Sequence, residues 1–149
     1  MLTPGFHFNE TMAGSYYKLG EPTVERPLEF TIRVETRDLK AFFRDRIWRI
    51  EGEISAEGIA SAKPLSGTLD FKLPDEKRLV YRFSFRGDNG TEYEFFGQKD
   101  WMPIAPIRTI STLPGSLYAG GEEIARAVVR FDMKRDLFKF LGSFRPSLS

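Results

Sequence analysis

Apolar and polar residues alternate along several stretches of this chain with a period of two, the spacing of a β-strand that turns one face to a core and the other to water. Leu28, Phe30, Ile32 and Val34 alternate without a break with Glu29, Thr31, Arg33 and Glu35. Trp48, Ile50, Gly52 and Ile54 do the same against Arg49, Glu51 and Glu53, and Leu65, Gly67, Leu69, Phe71 and Leu73 against Ser66, Thr68, Asp70 and Lys72. Leu79, Tyr81, Phe83 and Phe85 alternate with Val80, Arg82, Ser84 and Arg86; Gly87-Asp88-Asn89-Gly90 then interrupts the pattern, and Tyr93 and Phe95 resume it. This predicts a hairpin, with Asn-Gly suited to a type I′ turn or to a longer bulged loop. Phe6 to Tyr17, Ile107 to Thr112 and Ile124 to Phe131 are further strand candidates, which brings the total to about eight.

Two short helices are expected. In the first, over residues 38–44, Leu39, Phe42 and Phe43 share one side; the second is capped by Asp132, carries a stripe of Met133, Leu137, Phe138 and Leu141, and stops at Gly142. Turn chemistry gathers at Gly20 to Pro27, Glu57-Gly58, Pro74-Asp75, Pro103 to Pro106 and Pro114 to Gly121. No stretch reads as an interdomain linker and no internal repeat is evident, so residues 1–149 are expected to form a single domain. The predicted class is all-β with two short helices. Its architecture is an antiparallel up-and-down barrel of lipocalin-like shape, with a two-sheet β-sandwich as the alternative. Short connections between consecutive strands, and a helix after the last of them, favour the barrel.

Composition narrows the partners more than the chemistry. A chain of 149 residues with 14 Phe, 5 Tyr and 2 Trp has ample large apolar side chains for one core. Lys and Arg number 22 against 21 Asp and Glu, so no net field favours nucleic acid, and none is expected as a partner. There is no cysteine, hence no disulfide framework and no thiolate. The first residues lack a basic segment followed by an apolar one, and no apolar run is long enough for a membrane helix. A cytoplasmic location without a membrane span is the resulting expectation.

The search for catalytic chemistry returns little. His7 is the only histidine, too few nitrogen ligands for a zinc site, and neither a Gly-x-Ser-x-Gly elbow nor a Gly-x-Gly-x-x-Gly or phosphate-loop pattern occurs. No cofactor, metal or catalytic set is therefore assigned. Asp70, Glu92, Glu94 and Asp100 mostly alternate with apolar residues, the pattern of a solvated outer face. The segment Tyr93 to Trp101 differs, because glycine, aromatic and polar residues gather at a strand end. It is the candidate ligand mouth. Trp101 offers an apolar face with one donor, Lys99 a cation for an anionic or oxygen-rich head group, and Tyr93 and Tyr118 further aromatic surface. The competing reading is a strand end whose tryptophan covers the core while Lys99 points to solvent.

Three segments carry a resemblance to a known family. Phe8-Asn9-Glu10-Thr11-Met12-Ala13-Gly14, then Arg78-Leu79-Val80-Tyr81-Arg82-Phe83 with Gly90, Tyr93, Gly97 and Lys99, and finally Asp136 to Arg145 are similar to the opening, central hairpin and closing helix of one accessory domain. That domain accompanies cholesterol-oxidase-like members of the glucose-methanol-choline oxidoreductase family in some bacteria. The resemblance spans roughly residues 6–145. It implies a noncatalytic companion domain, with an oxidoreductase as a partner and a steroid- or lipid-like small molecule as a ligand, and it supplies no catalytic residue. Beside this stand two other readings: a cofactor-free isomerase, cyclase or hydrolase using Asp70 or Asp100 with Tyr81 or Tyr93, and a structural protein-interaction module. An apolar cavity would favour binding, a buried carboxylate catalysis, and a solid core with a flat apolar patch the interaction module. The sequence does not set the oligomeric state.

Overall fold

The computed structural model describes residues 5–36, 47–72, 78–100, 112–130 and 145–147. In chain order these form strands β1 (Gly5–Lys18), β2 (Arg26–Thr36), β3 (Ile47–Ala56), β4 (Ala60–Lys72), β5 (Arg78–Arg86), β6 (Glu92–Asp100), β7 (Thr112–Ala119), β8 (Glu122–Arg130) and β9 (Arg145–Ser147). Each strand from β1 to β7 pairs antiparallel with the next, and β8 returns to β1. The sheet is thus a closed up-and-down barrel of eight strands, as the alternation and short connections predict, and not a sandwich. β9 adds a short pairing on β1, Gly5↔Ser147 to His7↔Arg145. Among the described residues there is no helix; both expected helices, and Leu137 with them, lie outside those residues.

The alternation seen in the sequence is the alternation of the wall. Leu28, Phe30, Ile32 and Val34 of β2, Trp48, Ile50 and Ile54 of β3, and Tyr81, Phe83 and Phe85 of β5 all face inward and are buried. At mid-barrel the aromatic rings fill the interior. Phe83 stacks on Phe95 with centroids 4.7 Å apart, and Phe30 packs against both at 5.2 and 5.6 Å. Such pairs add to the stabilisation that burial alone provides. The ring of Phe95 lies under Gly97 and Gly115, where an added Cβ would come within 2.7 and 2.5 Å of it. Curvature imposes a similar demand at Gly67 of β4, whose missing Cβ would sit 1.9 Å from the Arg82 carbonyl oxygen of β5. Inward glycines of this kind let a strand bend tightly enough for a barrel to close.

The expected hairpin is present, with Tyr93↔Phe85, Phe95↔Phe83 and Gly97↔Tyr81 in register. Its turn is the bulged form: the Gly90 N–H donates to the Gly87 carbonyl at 3.0 Å, and Gly90 alone in the loop has a positive φ, 84°. The β7–β8 turn is the two-residue kind, made by Gly120 and Gly121 at φ 59° and 84°.

β7 departs from the expectation. The stretch from Pro114, rich in turn residues, is strand as far as Ala119; of the strand expected over Ile107 to Thr112 only Thr112 is described. The β6–β7 ladder ends at Gly97↔Gly115, whereas β7 stays paired to β8 as far as Thr112↔Arg130. Pro114, which has no N–H to donate, therefore stands where its strand has one neighbour only, a position a sheet tolerates.

The four short hairpin turns, residues 19–25, 57–59, 87–91 and 120–121, all fall at one end of the barrel, here termed the turn end. The β3–β4 turn lies across it: Ile59 is buried, its carbonyl accepts from the Asp88 N–H at 2.8 Å, and the Glu57 carbonyl accepts from the Tyr16 hydroxyl. The Asp88 carboxylate in turn accepts from the N–H and hydroxyl of Ser61, each at 3.0 Å, and these bonds hold its pKa below the ordinary carboxylate range.

Beside the β3–β4 turn, a bulge leaves Ala62 in the left-handed region at φ 50°, with its N–H donating to Ser55 Oγ at 3.0 Å. Left-handed backbone costs an L-residue about 1–2 kcal/mol, part of which glycine returns through its looser unfolded state. Ala62→Gly is expected to raise stability by about 0.5–1 kcal/mol in a denaturant titration. Gly67→Ala is expected to lower it by roughly 1–3 kcal/mol, because a methyl group meets backbone that cannot move aside.

Candidate functional site

The period of two carries charged side chains into the barrel as readily as apolar ones. On β6 the inward series is Tyr93, Phe95, Gly97 and then Lys99; on β1 it is Glu10, Met12, Gly14 and Tyr16. Lys99 is 3% exposed and the Glu10 side chain 12%. Lys99 Nζ lies 3.3 Å from Glu10 Oε1, and the Tyr81 hydroxyl, on a residue 1% exposed, donates to the same oxygen at 3.0 Å. The Lys99 ammonium also stands 5.1 Å from the centroid of the Tyr81 ring, within range of a cation–π attraction. These three side chains come from β1, β5 and β6 and meet in the half of the barrel away from the turn end. Tyr81 belongs to the buried core together with Met12, Val34, Trp48, Ile50, Leu69 and Leu79.

Burial is the first cause of the raised Tyr81 pKa, and the negative charge of Glu10 and the hydrogen bond to it add to the effect. The phenol is held neutral and acts as a donor. Because the folded-state pKa lies above the unfolded one, this stability is fully present below about pH 10 and is lost as the pH climbs from there towards the folded value. The Tyr16 pKa is raised too, again chiefly by burial.

Of the four residues expected to form a ligand mouth, the three that are described, Tyr93, Lys99 and Tyr118, do not converge. Lys99 faces the interior and pairs with Glu10, so it stands neither at a solvent rim nor free in water. Tyr93 is on the same inner face but six residues away, about 20 Å along the strand, where it stacks on Phe85 at 5.5 Å. Tyr118 follows inward Leu117 and so falls on the outer face, opposite Glu94, in a surface groove with Arg82 and Phe96. Trp101 lies outside the described residues. Of the carboxylates considered for catalysis, Asp70 is paired with Val80, one step out of phase with the inward Leu69↔Tyr81 pair, and the Asp100 side chain lies outside what is described. Glu10, missing from the expected site, carried a signal nonetheless, since it lies in phase with the apolar Met12 and Tyr16.

A groove of about 830 Å³ also lies on the outer wall between β6, β7, β8 and β1, with Phe96, Gln98, Pro114 and Ser116 along one side and Tyr17 and Arg126 on the other. Among the described residues no group of three or more His, Cys, Asp or Glu is placed to hold a metal ion, and no helix is long and apolar enough to cross a membrane.

Fold and site together define a closed eight-stranded antiparallel barrel of lipocalin-like shape with a buried ion pair in one half of its interior. No family model, no curated protein and no solved structure matched the chain.

A buried ion pair strongly destabilises a fold when one partner is removed, by about 3–5 kcal/mol, whereas replacing both with apolar side chains is often neutral or better. Lys99→Met and Glu10→Leu are each expected to fall in that range, and the double variant to return to within about 1 kcal/mol of wild type or above it. Urea titrations of the four proteins make the check. In a native-state alkaline spectrophotometric titration, fewer than the 5 tyrosines should ionise before unfolding, and Tyr81→Phe should remove one of the late-titrating groups.

Proposed function

We propose that this barrel is a noncatalytic binding protein for an apolar or lipid-like small molecule, held in the half of the interior that contains Glu10, Tyr81 and Lys99. The observation that carries this reading is the ion pair itself. A barrel needs no buried charge for stability, and a hydrophobic replacement serves as well; a few converging polar groups among apolar and aromatic walls are what a small-molecule site requires. The two ends of the molecule support the same half. The turn end is closed by Ile59 and its hydrogen bonds, and at mid-barrel the Phe30, Phe83 and Phe95 rings leave the cluster on the far side of a packed floor.

The neutral, donor-bearing Tyr81 and the salt-bridged Lys99 suit recognition better than proton abstraction, because the carboxylate that would act as base already accepts from both. The family resemblance supplies a setting, in which such a domain works beside an oxidoreductase that acts on the molecule it holds.

The test begins with native mass spectrometry of the gently purified protein, which is expected to show a retained small apolar molecule. An apolar fluorescent probe should then bind saturably at one site and quench or shift the emission of Trp48, a buried residue of the same half, in a Trp101→Phe background. Absence of saturable binding by folded protein would overturn the proposal.

A further inference from the structure

At the end away from the turns, neighbouring strands of the barrel stay paired nearly to their ends: Glu35↔Arg49, Ile47↔Asp70, Lys72↔Arg78, Arg78↔Asp100 and Thr112↔Arg130. At the β8–β1 seam the ladder reaches Ala13↔Arg130, the last residue of β8, and β1 runs on past it to Gly5. At the β6–β7 seam both strands continue beyond the last pair. Its ladder stops at Gly97↔Gly115, although β6 continues through Gln98, Lys99 and Asp100 and β7 begins with Thr112, Leu113 and Pro114. Those six residues keep their other partners, Val80, Leu79 and Arg78 on β5 and Arg130, Val129 and Val128 on β8. No ladder pairing joins β6 to β7 there, between two intact hairpin ladders, and Pro114 has no N–H to extend it. Lys99 is the first inward residue of β6 beyond the last pair, and the 830 Å³ outer groove, with Phe96, Gln98, Pro114 and Gly115 in its lining, lies over the same place. Groove, seam and buried ammonium are thus in line.

Charge determines what Lys99 will accept. Among the described residues the cluster is balanced, with one ammonium, one carboxylate and a phenol held neutral. A carboxylate or phosphate entering it would leave a buried net negative charge, and an amine a net positive one; both are strongly disfavoured where water is excluded. An ammonium carries three donors, and among the described residues Glu10 is its one hydrogen-bonded acceptor. A carbonyl or hydroxyl oxygen satisfies a further donor without disturbing the balance.

Resting on the binding function proposed above, we infer that the ligand is an uncharged apolar molecule bearing a carbonyl or hydroxyl group. It enters sideways through the β6–β7 seam and places that oxygen on Lys99.

The ligand class is tested on the wild-type protein with three probes of equal chain length: a long-chain methyl ketone, the corresponding carboxylate and the alkane. The ketone is expected to bind at least tenfold more tightly than either of the others. Tighter binding of the carboxylate, or equal binding of all three, overturns the inference while leaving an apolar site in place; no binding of any probe overturns the binding function as well. The route is tested by using the absence of cysteine. Gln98→Cys and Pro114→Cys stand where the next cross-strand pair would form, and the two thiols are joined by oxidation or by a short bis-maleimide, with the bridge confirmed by intact mass. Ketone association should slow at least tenfold in the bridged protein and recover in the reduced, unbridged one. Equal association rates would place the entrance elsewhere.

Discussion

Along β1 the backbone is paired on both sides: residues from Phe6 to Tyr16 take β2 as partner and those from Ala13 to Lys18 take β8. This double pairing turns an eight-stranded meander into a barrel, and it removes the two free edges an open sheet would present to other chains. Closure then dictates the rest. Side chains on one face of every strand are forced into a common interior, so a residue's place in the period of two decides whether it meets water or seven other strands. Bending tightly enough to close brings the backbones of β4 and β5 so near that position 67 has no room for a side chain.

The interior is filled unevenly. Towards the turns it is a packed assembly of aromatic rings with Ile59 and Tyr16 at the base, and the Asp88 carboxylate that ties the turns together lies at the surface. Beyond the Phe83–Phe95 stack the same inward-facing positions carry Glu10, Tyr81 and Lys99. Dispersion and burial stabilise the first half. The second is stabilised only as long as the ion pair and its phenol stay together, since any one of them alone would be a buried polar group without its partner.

That contrast gives the molecule a direction. One end is tied by short turns and hydrogen bonds between hairpins, and the other half holds the polar cluster and the place where the β6–β7 ladder ends. The binding function proposed above rests on this contrast between a packed floor and a polar upper half. The outer groove lined by Phe96 and Pro114 belongs to the same region of the wall.

Much of this was legible along the chain. Strands β2 to β6 can be read from alternation alone, because each has one face in the core and the other outside, and the Asp-Asn-Gly turn marks the hairpin of β5 and β6. β7 could not be read that way: Pro114 and Gly115 look like turn residues, and only the end of pairing with β6 and the ring of Phe95 beneath Gly115 make them strand residues. The site shows the same division. Alternation by itself puts Lys99 in phase with Phe95, and Glu10 in phase with Met12, so the sequence determined that each charge would lie on a core-facing side. Local pattern specifies a residue's face but says nothing of its neighbour across a barrel. That Glu10, 89 positions from Lys99 in the chain, stands 3.3 Å from it, while Tyr93 on the same strand is carried to the other end and Tyr118 to the outer wall, was decided only when the sheet closed and fixed the register of all eight strands at once.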